Sequence, residues 1–181
     1  VFHPAYDHIR ETEGKPAPEL YHADWGTEDP RYILVNAPIM LLSAPVQSPP
    51  GVYNTPCTPT TGLLDQLWNP DSPCPLRPDA MGMSIFLTTP AYLLGILALL
   101  FGWRRRIVAG AAIAVLCTAL AALAHFSQGW VQCGYRFSND FAPFAMILVT
   151  LGIARAMRRG PWGAVAVLLV AASVLINAWG V

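Results

Sequence analysis

Charged side chains are scarce in this sequence. They make up 12% of its 181 residues, against about 25% in soluble domains. With 54% hydrophobic residues and a mean hydropathy of +0.43, the composition excludes a disordered tail, a nucleic-acid binder attracted by bulk charge, and an ordinary soluble globule. The first residues contain no apolar stretch, so we do not expect a cleaved signal sequence here.

Acidic residues are almost missing from the second half. Residues 1–80 hold ten acidic and four basic side chains, a net charge of −6. Residues 81–181 hold seven arginines and a single acid, Asp140, a net charge of +6. The overall charge of zero therefore conceals two physically different parts. We interpret the first as an external acidic, proline-rich loop domain and the second as a transmembrane bundle.

The second half contains four predominantly apolar runs. A helix of 20 residues is about 30 Å long, which matches the hydrocarbon core of a bilayer. The runs predict a mainly α-helical integral membrane protein with about four transmembrane helices, preceded by a proline-rich irregular external segment. The small alanines of the second run favour a position inside the bundle. The predicted spans are 84–103, 107–129, 140–156 and 162–179.

Two arginine-rich turns predict the orientation. Arg104–Arg106 follow the first span and Arg155–Arg159 follow the third, with no acid beside them. The positive-inside rule places both turns in the cytoplasm. A multi-pass protein of the cytoplasmic (inner) membrane follows, with residues 1–80 and the C-terminus external or periplasmic. Because nothing in residues 1–80 could carry them outward, we expect further N-terminal spans of the same protein, and interpret the chain as a C-terminal fragment.

The external half should be irregular, with one helix and one crosslink. An apolar run near 32–43 is too short to span and predicts an interfacial helix. Ten prolines between 38 and 78 rule out a continuous helix there. Cys57 and Cys74 lie on the predicted oxidising side, where a disulfide would contribute about 3 kcal/mol. Cys117 is interpreted as a small apolar side chain, and Cys133 has no obvious partner.

Candidate chemistry concentrates in the external loop before the third span. Arg136 and Asp140 are four residues apart, so on one helix they would share a face. Arg136 could bind a phosphate or pyrophosphate headgroup, or the two residues could form a structural pair that fastens the span. The histidines, His125 included, have no metal spacing and are interpreted as solvated. The acids around Glu28 are interpreted as a solvated loop. No phosphate loop or nucleophile motif is present.

Four stretches carry a family resemblance. The run QCGYRFSNDFAPF at 132–144 resembles a segment that opens a late transmembrane helix in bacterial glycosyltransferases of the GT-C superfamily. GMSIFLTTPA at 82–91 is similar to their entry to an earlier span, and residues 32–45 are similar to their external juxtamembrane segment. INAWG at 176–180 is similar to their C-terminal pattern. The resemblance implies a mannosyltransferase-like enzyme that transfers a sugar from a polyprenyl-phosphate donor on the outer face.

In that superfamily the catalytic acid belongs to the first external loop, so the resemblance assigns no catalytic residue to this chain. The chain alone is not expected to be active, and no cofactor or metal is expected. The substrate-binding candidates are Arg136, Tyr135, Gln132 and Asp140. Expected partners are the bilayer, a polyprenyl-phosphate-linked sugar and the missing N-terminal spans, without nucleic acid. The alternatives are a non-enzymatic accessory subunit whose outward-facing cap docks a partner, and a transporter segment.

Overall fold

A computed structural model describes residues 24–49, 57–69, 71–78, 82–126, 134–135 and 137–179. A 3₁₀ turn at Pro30–Tyr32 leads into the first helix. The elements that follow are α1 (Ile33–Leu42), β1 (Val46–Gln47), α2 (Leu63–Trp68), β2 (Leu76–Arg77), α3 (Ile85–Thr88), α4 (Tyr92–Gly102), α5 (Arg106–Leu123), α6 (Ser138–Met157) and α7 (Pro161–Trp179). The described chain is therefore mainly helical.

Three of the four predicted spans correspond to helices long and apolar enough to cross a membrane, although the second of them ends at Leu123 rather than at residue 129. They are α5, α6 and α7, with 18, 20 and 19 residues and mean hydropathies of 2.1, 1.5 and 2.0 over their best windows. Only 22%, 33% and 17% of those windows is buried inside the protein. Apolar side chains such as Leu168 and Leu175 are two-thirds exposed. Such surfaces are suited to contact with lipid, because exposing large apolar areas to water is unfavourable.

The first predicted span is not one helix. α3 ends at Thr88 and α4 begins at Tyr92, so the prediction of a continuous helix over 84–103 is wrong. Pro90 lacks a backbone N–H, so it cannot donate the hydrogen bond that would continue the helix. α7 satisfies polar backbone groups at the break. Ser173 Oγ accepts a hydrogen bond from the N–H of Ala91 (2.9 Å), and the amide of Asn177 donates to the carbonyl of Thr88 (2.8 Å).

The most buried of the three long helices is α6, which packs against α4, α5 and α7. α6 approaches α4 closely at Gly152, where an added Cβ would overlap the backbone carbonyl of Leu94. The prediction that the alanine-rich second span packs inside is wrong, because α5 keeps Ile113 and Leu116 more than half exposed. Small residues permit close packing, but they fix an interior position only when the larger residues beside them also face a neighbour.

The proline-rich region packs as a small cap beside the end of α7. β1 pairs antiparallel with β2, with Val46 opposite Arg77. Cys57 and Cys74 are joined by a disulfide, with their Cα atoms 5.8 Å apart. The indole N–H of Trp179 donates to a carbonyl of α2 (2.7 Å), which links this cap to α7. In the described chain, Cys117 is a free and exposed cysteine in α5.

Candidate functional site

The end of α5 supplies backbone carbonyls that need partners. The last four carbonyls of a helix have none within it, and α5 ends at Leu123. Asn36 of α1 is fully buried and donates from its side-chain amide to the carbonyls of Leu123 (2.8 Å) and His125 (2.7 Å). The backbone N–H of Asp29 donates to the carbonyl of Ala124 (2.9 Å). The chain around the start of α1 therefore caps α5, and we call this end of the bundle the cap end.

An ion pair fixes the turn that enters α1. The guanidinium of Arg31 donates to both carboxylate oxygens of Asp29, each at 2.8 Å. The backbone N–H of Arg31 donates to the same carboxylate, which makes Asp29 the N-cap of the turn. Hydrogen bonds from the Arg31 side chain, and then from its backbone, lower the pKa of Asp29 to about 2. This carboxylate therefore has a structural role.

Glu28 and His125 meet at the same end. Their backbones form an isolated antiparallel bridge. The Nδ1 atom of His125 lies 2.6 Å from a carboxylate oxygen of Glu28, although the two residues are 97 positions apart. The imidazole also packs edge-on against the ring of Phe137, with centroids 5.4 Å apart. The interpretation of His125 as a solvated histidine is therefore wrong, because its side chain is 24% exposed and partnered.

A cleft of about 380 Å³ opens beside this pair. Its ionisable side chains come from three segments: Glu28 from the chain before α1, His125 after α5, and Asp140 in the first turn of α6. Phe137 lines it together with small residues of α5. The positive end of the α6 dipole favours a carboxylate in that first turn. The cleft, which we call the cap-end cleft, thus combines two carboxylates, an imidazole and an aromatic ring.

The predicted substrate-binding residues are not all placed in this cleft. Asp140 is exposed and lines it, whereas Tyr135 is buried in an apolar cluster with Leu123 and Phe141. The Tyr135 hydroxyl has no hydrogen-bond partner among the described residues, and burial raises its pKa. Gln132 and Arg136 lie outside the described residues.

Glu28 and His125 are the cleft residues that sequence reasoning assigned to solvent. Their pairing joins two segments that are far apart in the sequence, so no local hydropathy pattern predicts it. A weak signal was nevertheless present, since His125 begins the same loop as Arg136 and stands beside an aromatic residue, Phe126. No group of three or more His, Cys, Asp or Glu side chains in the described ranges could hold a metal ion.

Together the fold and the cleft define a class: a mainly helical protein with three helices able to cross a membrane and a polar cleft where two of them meet a folded loop segment. Comparison with known proteins adds no closer assignment. No family model, curated protein or solved structure matches the chain.

Proposed function

We propose that the chain is part of a membrane glycosyltransferase of the GT-C type, which takes a sugar from a polyprenyl-phosphate donor on the outer face. The observation that carries the proposal is the cap-end cleft. Carboxylates such as Glu28 and Asp140 accept hydrogen bonds from sugar hydroxyls, and the ring of Phe137 offers an apolar face for sugar C–H groups. The cleft lies at the ends of α5 and α6, where a lipid-linked substrate would present its headgroup.

The proposal includes four crossings. α3, the break at Pro90 and α4 together form the first crossing, and α5, α6 and α7 form the others. Backbone groups at the break have partners on α7, which is the condition for interrupted helices in lipid. Arg105 and Arg155 line one common cavity, which supports placing both arginine-rich turns on one side. The positive-inside rule makes that side cytoplasmic and the cap end external.

Arg136 remains the proposed ligand of the donor phosphate. It directly precedes Phe137, which lines the cap-end cleft. A guanidinium presents a planar fork of donors that matches two phosphate oxygens. Gln132 and Tyr135 are proposed as its surroundings, while Asp140 contacts the sugar.

The test measures binding of polyprenyl-phosphate mannose to the full chain in phosphatidylcholine nanodiscs. Asp140→Asn, Glu28→Gln and Arg136→Gln should each weaken binding by about tenfold, because each removes a charge-assisted hydrogen bond. Asp71→Asn is the matched control, since Asp71 is exposed and outside the cleft lining. Binding equal to that of the sugar-free polyprenyl phosphate, or equal affinity in all variants, would overturn the proposal.

A second candidate is the accessory subunit with an outward-facing cap. It is favoured by Leu63 and Trp68, which are about two-thirds exposed on α2 beside the disulfide. Exposed apolar side chains on a covalently fastened surface are typical of protein contacts. This candidate predicts that polyprenyl-phosphate mannose does not bind and that Trp68→Ser releases a co-purifying membrane partner. Retention of every co-purifying partner by that variant would count against it.

A further inference from the structure

The opposite end of the bundle holds a cavity of about 340 Å³ lined by four arginines. Arg105 comes from the turn before α5, Arg155 from the last turn of α6, and Arg158 and Arg159 from the turn that follows α6. We call this cavity the arginine cleft. Arginines at the C-terminal end of a helix are favoured by its dipole and by the positive-inside rule. Those two effects alone would leave the guanidiniums extended into solvent.

Two guanidiniums of the arginine cleft lie over the same aromatic ring. The Cζ atoms of Arg155 and Arg159 lie 4.5 Å and 5.0 Å from the centroid of one ring, Phe101. No carboxylate of the described residues lies within 4.0 Å of either guanidinium. The sole acid of residues 81–181 is Asp140, about 22 Å from Arg155 along α6. Like charges are held together here without a protein counter-charge among the described residues.

One donor of this group also lacks an acceptor. The Nε–H of Arg155 is buried and has no hydrogen-bond partner among the described residues. A buried guanidinium donor without an acceptor is costly, so such groups are generally satisfied. A bound anion would provide both the missing acceptor and the missing negative charge.

An apolar groove of about 210 Å³ adjoins the arginine cleft. The two share Phe101, Arg155 and Arg159, and the groove is completed by leucines of α4 and by Trp162 at the start of α7. Tryptophan is enriched at the level of lipid headgroups. A cavity of guanidiniums continuous with an apolar groove matches the two parts of a phospholipid. A free phosphate would use only the first part.

We propose that this end of the bundle binds an anionic glycerophospholipid, with its phosphate in the arginine cleft and an acyl chain in the adjoining groove. Basic pockets between membrane helices on the cytoplasmic side are suited to such headgroups. The inference requires that the bundle lie in a bilayer, but it is independent of sugar transfer at the cap end.

The experiment measures lipid retained by the full chain after extraction from nanodiscs of phosphatidylglycerol and phosphatidylcholine, by native mass spectrometry. The wild-type chain should retain phosphatidylglycerol preferentially. Arg155→Gln/Arg159→Gln should reduce that preference by about tenfold, because charge-assisted hydrogen bonds are lost. Arg104→Gln/Arg106→Gln is the matched control: it removes the same charge from exposed positions outside the cleft lining and should change the preference by less than about twofold.

Three results would overturn the proposal. Equal retention of the two lipids by the wild-type chain would exclude a selective site. Equal losses in the two double variants would show diffuse attraction to surface charge. Full displacement of the lipid by soluble glycerol phosphate would show an anion site that does not use the groove. If Arg155→Gln does not fold, Arg158→Gln tests the same cleft at an exposed side chain and should still lower the preference severalfold.

Discussion

Asn36 offers the sharpest test of how the cap-end cleft is built. Replacing it with leucine keeps a side chain of similar size but removes both hydrogen bonds to the end of α5. The bond to Leu123 is buried, so that carbonyl incurs a desolvation penalty of about 1–3 kcal/mol. The bond to His125 is partly buried and contributes about 1 kcal/mol. We therefore expect Asn36→Leu to lose about 2–4 kcal/mol of unfolding free energy.

The assay is thermal unfolding of the full chain in detergent, where this loss corresponds to roughly 5–15 °C. Asn139→Leu is the control, because Asn139 is exposed in the first turn of α6. It should shift the midpoint by no more than about 2 °C, since isolated surface substitutions stay within about 0.5 kcal/mol. Equal midpoints for the two variants would refute the assignment of Asn36 as the cap of α5.

Asn36→Asp separates hydrogen-bond donation from packing. It keeps the size of the side chain and replaces the amide donor with an oxygen that faces two carbonyls. Burial and the two carbonyl oxygens that face this position should raise the pKa of the introduced carboxyl. The folded state then binds a proton more tightly than the unfolded state, so the variant becomes more stable as the pH falls from 7 toward 5. The deficit of Asn36→Leu should stay constant over that range, and a constant deficit in both variants would refute the donor role.

Other features give independent predictions. Gly152→Ala should lower the free energy of unfolding by about 2–3 kcal/mol, because the added methyl group would push α6 away from α4. Gly110→Ala is the control: its methyl group would meet nothing within 4 Å and should stabilise α5 by about 0.5–1 kcal/mol. Equal thermal midpoints for the two variants would contradict this packing. Because the pKa of Asp29 is lowered to about 2 in the folded protein, its contribution to stability is fully present above the ordinary carboxyl pKa of 3.8 and is lost as the pH falls through 2. The stability difference between wild type and Asp29→Asn should therefore shrink as the pH falls from about 5 to 2, and a difference that stays constant over that interval would contradict the assignment. Alkylation after reduction should label two more cysteines than alkylation alone, because Cys57 and Cys74 then react in addition to the free Cys117. Reduction should also speed limited proteolysis of the proline-rich cap, and unchanged proteolysis would mean that the disulfide does not stabilise it.

Hydropathy predicted three helices well because crossing a bilayer is a local requirement. The predicted spans 140–156 and 162–179 lie within α6 and α7 and differ from them by at most two residues at each end. The break before α4 was missed because a proline is tolerated in a membrane helix when neighbours satisfy the backbone. The satisfying groups, Ser173 and Asn177, come from a helix more than 80 positions away. The sequence alone identified Pro90, but only the packing of α7 showed that the helix breaks there.

The site was harder to predict than the fold, for the same reason. Asp140 was identified because it is the single acid in an arginine-rich half. Glu28 lies in an acidic stretch that composition assigns to solvent, and its partner His125 is 97 positions away. The burial of Tyr135 was likewise missed, because its neighbours Leu123 and Phe141 belong to two different helices. Contacts between distant segments decide which polar residues share a cleft, and no periodicity encodes them.

The two proposed sites share α6, so their coupling can be estimated. Asp140 lines one cleft and Arg155 lines the other, about 22 Å apart along the helix. At an effective dielectric constant of about 20, two charges at that distance interact by about 0.8 kcal/mol, less than the tenfold effect, about 1.4 kcal/mol, expected at each site. Asp140→Asn and Arg155→Gln should therefore act almost independently on sugar-donor and phospholipid binding. A coupling well above 1 kcal/mol would require α6 itself to move between two packed positions.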